Sequence, residues 1–239
     1  MRITLVLTLS ALLAVVPAGA RPAAGLRIFA AASLTEAFQA LDGSEAYNFA
    51  GSNTLAAQIR QGAPADVFAS ASPRYTQALY RMGLVQKPVG FASNRLVLIV
   101  PKSNPARLKS VYDLRRKQVK LVVAASAVPV GEYTRAVLRR LGLSSVLSKV
   151  VSQEPDVKGV VGKVALGQAD AGFVYATDAR TAARDVTAIA LPDRAQPTVR
   201  YEIAVVASSP RKQAARAWIA RILGKSGQAA LARAGFGKP

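Results

Sequence analysis

The chain has 239 residues, with 32 Lys and Arg against 13 Asp and Glu, a formal charge of +19, and neither His nor Cys. Missing those two side chains argues against zinc, copper and haem sites, His-based triads and Cys–His pairs, and it leaves any core in an oxidising compartment to packing without disulfides. The basic residues lie scattered on the polar sides of predicted helices, as at Arg115, Arg116, Lys117, Arg139, Arg140, Arg211, Lys212, Arg216 and Arg221, with no interleaved aromatics; this pattern fits solvated faces in a positive field that draws in small anions better than a nucleic-acid surface.

Residues 1–20 read as a cleavable signal peptide: Arg2 supplies the positive start, Ile3 to Val16 an apolar run, and Ala18-Gly19-Ala20 a small-x-small cleavage site. The run is too short and wrongly flanked for a spanning helix, and no other stretch approaches the length of one. An exported, soluble, periplasmic protein is expected, and the absence of cysteine removes the attachment point of an N-terminal lipid anchor. Loss of Arg2 with the leader would leave a charge near +18.

The mature chain opens on Leu26-Arg27-Ile28-Phe29, a short strand, followed by Ala30-Ala31-Ala32-Ser33 and a helix with apolar positions at Leu34, Ala37, Phe38 and Leu41. Ser33 with Glu36 three residues on has the spacing of a capping box, which makes Ser33 the expected N-cap. The device recurs: strand Tyr47–Ala50 runs through Gly51-Ser52-Asn53-Thr54 into a helix over Leu55–Gln61, ended by Gly62. A third strand, Pro64–Ser70, precedes a helix over Tyr75–Arg81 with Gly83 as its C-cap. Strand–helix alternation at this spacing predicts parallel sheets with right-handed crossovers.

Leu96–Val100 is a buried strand within Asn94–Pro101 and the expected first crossing to a second lobe. Lys120–Ala125 is another strand, leading through Val128-Pro129-Val130-Gly131 to a helix over Glu132–Leu141, with Pro129 where a first helical turn accepts proline. Glu154-Pro155-Asp156-Val157-Lys158 opens a helix running through Leu166. Ala171–Ala176 is a strand ending on Tyr175, Arg200–Ala207 the expected return crossing, and helices around Ala214–Leu223 and Gly227–Ala234 close the chain. The domain reading is a lobe of residues 21–98 and 204–239 and a second lobe of 99–203.

Helix starts that follow small residues leave backbone N–H groups open to an anion. The segments Ala30-Ala31-Ala32-Ser33-Leu34-Thr35, Gly62-Ala63-Pro64-Ala65-Asp66-Val67-Phe68, Asn94-Arg95-Leu96-Val97-Leu98, Val128-Pro129-Val130-Gly131-Glu132-Tyr133, Asp156-Val157, Gly172 to Ala179 and Gly235-Phe236 together resemble the periplasmic molybdate-binding proteins of ABC importers, over essentially all of the mature chain. The resemblance implies an α/β, two-lobed type II binding-protein fold, each lobe a mainly parallel sheet flanked by helices and the two joined by crossing strands. It implies a tetrahedral oxyanion ligand, molybdate and also tungstate, held through its oxygens without direct metal ligation. The carried-over site is the Ser33 and Ser52 hydroxyls, the backbone N–H groups of Val130 and Val157, and the Tyr175 hydroxyl. The chain differs from the family in carrying Val130 where a small residue is common, and Pro155 between the acidic residues before Val157. No cofactor is implied; the partners are the oxyanion and a membrane permease, with no nucleic acid, and a monomer is expected.

The residue types fit that implication. A dianion sealed from water needs many donors, and helix starts supply them with a favourable dipole. In the motifs around the five carried-over site residues only Lys158, next to Val157, is cationic, so recognition by neutral donors is expected. A site of donors alone should reject protonated phosphate, whose hydroxyl would find no acceptor. A second oxyanion such as sulfate remains the alternative ligand. Ser33 as a nucleophile lacks an activating base, and Asp66 and Asp178, at the ends of the strands they flank, read as turn and capping residues.

Overall fold

The computed structural model describes residues 25–116 and 118–239; the expected leader lies outside them. Among the described residues ten strands and eight α-helices follow in the order β1 (Arg27–Ala31), α1 (Thr35–Leu41), β2 (Ala46–Ala50), α2 (Ser52–Arg60), β3 (Val67–Ser70), α3 (Pro73–Arg81), β4 (Val89–Asn94), β5 (Leu96–Pro101), β6 (Leu121–Ala124), α4 (Pro129–Arg140), β7 (Val150–Glu154), α5 (Val157–Ala165), β8 (Ala171–Tyr175), α6 (Ala176–Thr181), β9 (Val186–Ala190), β10 (Val199–Val205), α7 (Lys212–Leu223) and α8 (Lys225–Ala234). Among the described residues no helix is long and apolar enough to cross a membrane.

Two five-stranded sheets form, ordered β2-β1-β3-β10-β4 and β7-β6-β8-β5-β9. In each, three strands are parallel: β1 pairs with β2 and β3, and β6 with β7 and β8. The strands that carry the chain between lobes run the other way, so β10 is antiparallel to β3 and β4, and β5 to β8 and β9. The sheets are therefore mixed: the strand–helix units give the expected parallel pairs, and the crossings add an equal set of antiparallel ones.

The chain changes sheet twice: at Arg95, between β4 in one sheet and β5 in the other, and between β9 and β10. Gln196 still belongs with β5, donating to the Leu96 carbonyl at 2.8 Å and accepting from the Leu96 N–H at 3.1 Å. Continuous apolar runs in the two segments hide where the backbone changes partner sheet.

The inner parallel strands β1, β3, β6 and β8 bury both faces, as strands covered by helices on each side must. Ile28, Ala30, Val67 and Ala69 face one core, while Phe29 and Phe68 face the other with Leu55, Ile59 and Leu79. In the first core Phe38 meets Trp218 edge-on at 5.2 Å and Phe91 at a tilt at 6.0 Å; an edge contact of the first kind adds about 0.5–1.5 kcal/mol to the area each ring buries. Asp66, just before β3, is a clamp: it accepts from the Arg27 N–H at 2.7 Å and the Ser209 hydroxyl at 2.6 Å, and pairs with Arg211. Burial pushes its carboxyl up, but those donors and Arg211 outweigh burial and hold it below the usual range.

Candidate functional site

The five sequence-nominated residues come together between the lobes. Ser33 follows β1, Ser52 opens α2 after β2, Val130 lies in the first turn of α4 after β6, Val157 opens α5 after β7, and Tyr175 ends β8. All sit at the carboxyl ends of parallel strands, the edge at which open α/β sheets present ligand sites. They line one cavity of about 210 Å³ of atom-free space, cleft mouth included, together with Ala31, Ala32, Ala50, Gly51, Ala71, Val128, Pro129 and Asp156. The part of it open to the centre of a water-sized sphere is about 10 Å³, far below the roughly 300–1,000 Å³ that takes drug-sized molecules, so the closed site admits only a small ligand.

Ser33 does not cap α1. It sits inside a 3₁₀ turn, Ala32–Leu34, entered from Ala31, and α1 begins at Thr35. Freed from the capping role, its Oγ lies 2.9 Å from the Tyr201 hydroxyl and faces the cavity. The Glu36 carboxylate, the expected other half of a capping box, instead reaches across to Lys158 Nζ at 2.7 Å. Ser52 Oγ accepts from the Ala71 N–H at 3.1 Å. With its acceptor side so engaged, its hydrogen is available to a ligand.

α4 begins with Pro129, and the N–H of Val130 is one of the first-turn donors with no acceptor inside its helix. α5 is capped by Asp156, whose carboxylate accepts from the Gly159 N–H at 3.0 Å and so leaves the Val157 N–H open. Tyr175 is the sharpest feature: its hydroxyl is buried and meets no hydrogen-bond partner among the described residues. Burial pushes its phenol well above the ordinary range, so it is an O–H donor at any working pH. Such an orphan costs about 1–3 kcal/mol unless something outside the chain accepts from it.

No lysine or arginine lines the cavity. Lys158, next to Val157, is turned to Glu36 and lies 3.3 Å from Asp178. Burial works against its charge, yet Asp178 and Glu36 together raise it above the ordinary lysine value. Asp178 is fully buried, with neither oxygen accepting a well-formed hydrogen bond; burial first, with Glu36 adding to it, pushes its carboxyl up to about 6 against the pull of Lys158.

The lobes are closed on the cavity. Ser33, Ser52, Val130, Val157 and Tyr175 are each no more than 4% exposed. Lys158–Glu36 and Arg74–Glu132, the latter at 3.2 Å, bridge the lobes, as do the Tyr75 hydroxyl on the Ala127 carbonyl and the Tyr133 hydroxyl on the Ala71 carbonyl at 3.5 Å. At the rim, the Pro155 carbonyl of one lobe sits where a Cβ on Gly51 of the other would be, 2.5 Å away. Proline between the two acidic residues is therefore part of the closure contact. Sequence reasoning missed this contact, Ala71 and Tyr201, because each pairing joins residues far apart in the chain.

The bacterial extracellular solute-binding protein family model matches residues 23–237. The chain belongs to that family. Among curated members, it is 38% identical to the molybdate-binding protein ModA of Mycobacterium bovis, over 93% of this chain and 88% of that one. The solved periplasmic molybdate-binding protein of Azotobacter vinelandii superposes with a TM-score of 0.81 at 22% identity, covering 90% of this chain and 99% of that one. The sulfate-binding protein SubI of Mycobacterium tuberculosis superposes at 0.73 with 17% identity, over 89% and 86% of the two chains, and so shares the fold. Like these relatives, this extracellular solute-binding protein is a carrier and not an enzyme.

Proposed function

We propose that this protein binds molybdate, and tungstate with it, in the cleft between its lobes and delivers the anion to the membrane permease of an ABC importer. The observation that carries the reading is the convergence of buried neutral donors: the orphan Tyr175 hydroxyl, the Ser33 hydroxyl beside that of Tyr201, the Ser52 hydroxyl whose oxygen already accepts from the Ala71 N–H, and the open starts of α4 and α5. Identity to ModA over nearly the whole chain supports molybdate over other solutes. Ser33, Ser52 and Tyr175 act through their hydroxyls, and Val130 and Val157 through backbone N–H groups, all on oxygen atoms of the ligand.

The lobes, residues up to Asn94 with those from Val199 and the segment between, move about the two crossings. Each exposed bridging ion pair is worth about 0–1 kcal/mol, too little to lock the cleft. Hydrogen bonds to a charged acceptor are worth about 1.5–3 kcal/mol each, so the bound anion decides whether the closed form dominates. Closure then changes the surface that faces the permease. The protein works as an exported monomer in the periplasm, released from its signal peptide and free of a lipid anchor.

Isothermal titration with molybdate, tungstate, sulfate and phosphate in turn tests the reading. Tight binding of the first two, weak sulfate and silent phosphate are expected. Tighter binding of sulfate than of molybdate would replace the ligand while keeping the site, and no binding of any would refute the proposal.

A further inference from the structure

We propose that Tyr201 is a positioning residue for Ser33, its hydroxyl donating to Ser33 Oγ so that the serine hydrogen is committed to the cleft. The inference rests on the proposed anion site and deepens it, since Tyr201 does not line the cavity.

The direction of the Tyr201–Ser33 bond follows from the partners of Tyr201. Its hydroxyl is buried, 2.9 Å from Ser33 Oγ and 3.5 Å from Asn94 Nδ2. The Asn94 amide group can only donate through nitrogen, and it divides its hydrogens between Tyr201 and Thr177 Oγ1, the latter at 2.9 Å. The Tyr201 oxygen is therefore already an acceptor. Were Ser33 to donate to it as well, the phenolic hydrogen would have no acceptor among these neighbours, and a buried orphan donor is costly. Turned the other way, Asn94 donates to Tyr201, Tyr201 to Ser33, and Ser33 to the ligand, a chain in which each bond strengthens the next. Burial pushes the Tyr201 phenol well above the ordinary range, so the chain keeps its sense at any working pH.

The ring of Tyr201 is held independently of its hydroxyl, edge-on to Phe236 at 5.4 Å, Tyr175 at 5.9 Å and Phe91 at 6.0 Å. Tyr201→Phe thus keeps the packing and removes only the donor. The Ala71 N–H does for Ser52 what Tyr201 does for Ser33, and both serines are fixed as donors. A residue 168 positions from Ser33 in the chain thereby holds Ser33 as a donor to the anion.

The test is molybdate titration of the full-length mature protein and of Tyr201→Phe, Ser33→Ala and the double variant, with thermal midpoints measured without ligand. Tyr201→Phe is expected to bind about three- to tenfold more weakly, its midpoint falling by no more than the roughly 2–4 °C that loss of one hydrogen bond costs a chain of this size. The double variant is expected to bind as Ser33→Ala does, because Tyr201 acts only through the serine. Wild-type affinity in Tyr201→Phe, or a loss that adds in full to that of Ser33→Ala, overturns the inference while leaving the molybdate reading intact. Failure of the unmutated protein to bind molybdate overturns the functional reading itself, and this inference with it.

Discussion

Ser52→Ala separates the two things this serine does. Its hydroxyl is placed to donate to the anion, and its oxygen accepts from the Ala71 N–H at 3.1 Å in a fully buried setting. Removing one hydrogen bond to a charged acceptor loses about 1.5–3 kcal/mol, which at 1.4 kcal/mol per tenfold raises Kd about 10- to 150-fold. Independently, the Ala71 N–H is left buried without a partner, at about 1–3 kcal/mol of folding free energy. For a protein of this size each kcal/mol moves the midpoint by about 2–4 °C, so the ligand-free variant should melt roughly 2–12 °C lower. Titration calorimetry reads the first quantity and scanning calorimetry without ligand the second. A lowered midpoint with wild-type affinity would show that Ser52 only secures the β3–α3 turn and would refute its place in the site. Weakened binding at an unchanged midpoint would refute the accounting for Ala71.

Tyr175→Phe deletes a buried hydroxyl that has no partner among the described residues, so the ligand-free midpoint should hold or rise while molybdate affinity falls about tenfold; a drop in midpoint at unchanged affinity would count against the assignment. Gly51→Ala is compatible with the backbone there (φ −59°, ψ 136°) but sets a methyl 2.5 Å from the Pro155 carbonyl, so closure should stop about 1 Å short, and small-angle scattering with saturating molybdate should show a larger particle than wild type. Asp66→Ala, at the end of the sheet away from the cleft, should cost about 1–3 kcal/mol of stability by leaving the Arg27 N–H without its acceptor and leave molybdate affinity unchanged by titration. The raised carboxyl of Asp178, at about 6, binds its proton more tightly folded than unfolded, so its contribution to stability is full below about 4, is lost as pH rises towards 6, and stays lost above; Asp178→Asn should flatten that interval in midpoint-against-pH curves, and parallel curves for the two proteins would refute it.

What the sequence made legible was the part of the molecule written in local pattern. Period-two and continuous apolar runs marked β1, β2, β3, β5, β6 and β8, and the small residues after them marked the helix starts that line the cavity. Three strands were not read. β7 (VVSQE) and β9 (VTAIA) are half-exposed edge strands, and β4 (VGFASN) carries a glycine and two polar residues; β4 and β7 hold too few apolar residues to stand apart from loops, and the short apolar run of β9 lacks the polar–apolar alternation that marks a half-exposed strand. The Ser33–Glu36 spacing satisfied the local capping rule, but a 3₁₀ turn, Tyr201 and Lys158 claim those two side chains, and all three act through tertiary placement. Backbone donors leave no mark on side-chain chemistry, so Val130 and Val157 were reachable only through resemblance to known relatives.

The chain shows no internal repeat in sequence, yet the lobes repeat one plan. In each, a first central strand is flanked by the second and third, and a crossing strand lies antiparallel to the third. The elements that meet the cavity correspond under this repetition: Ser33 after β1 with Val130 after β6, Ser52 after β2 with Val157 after β7, and Ala71 after β3 with Tyr175 at the end of β8. In the proposed site one lobe fills its first two positions with hydroxyl donors, the other with backbone donors, and at the third position a tyrosine supplies a hydroxyl opposite an alanine whose N–H is spent on Ser52. Donors from the two sides can complete a shell around one small anion only when the lobes meet. Affinity and closure are therefore the same event, which is why a methyl on Gly51, touching no ligand, should weaken binding as a lost donor would.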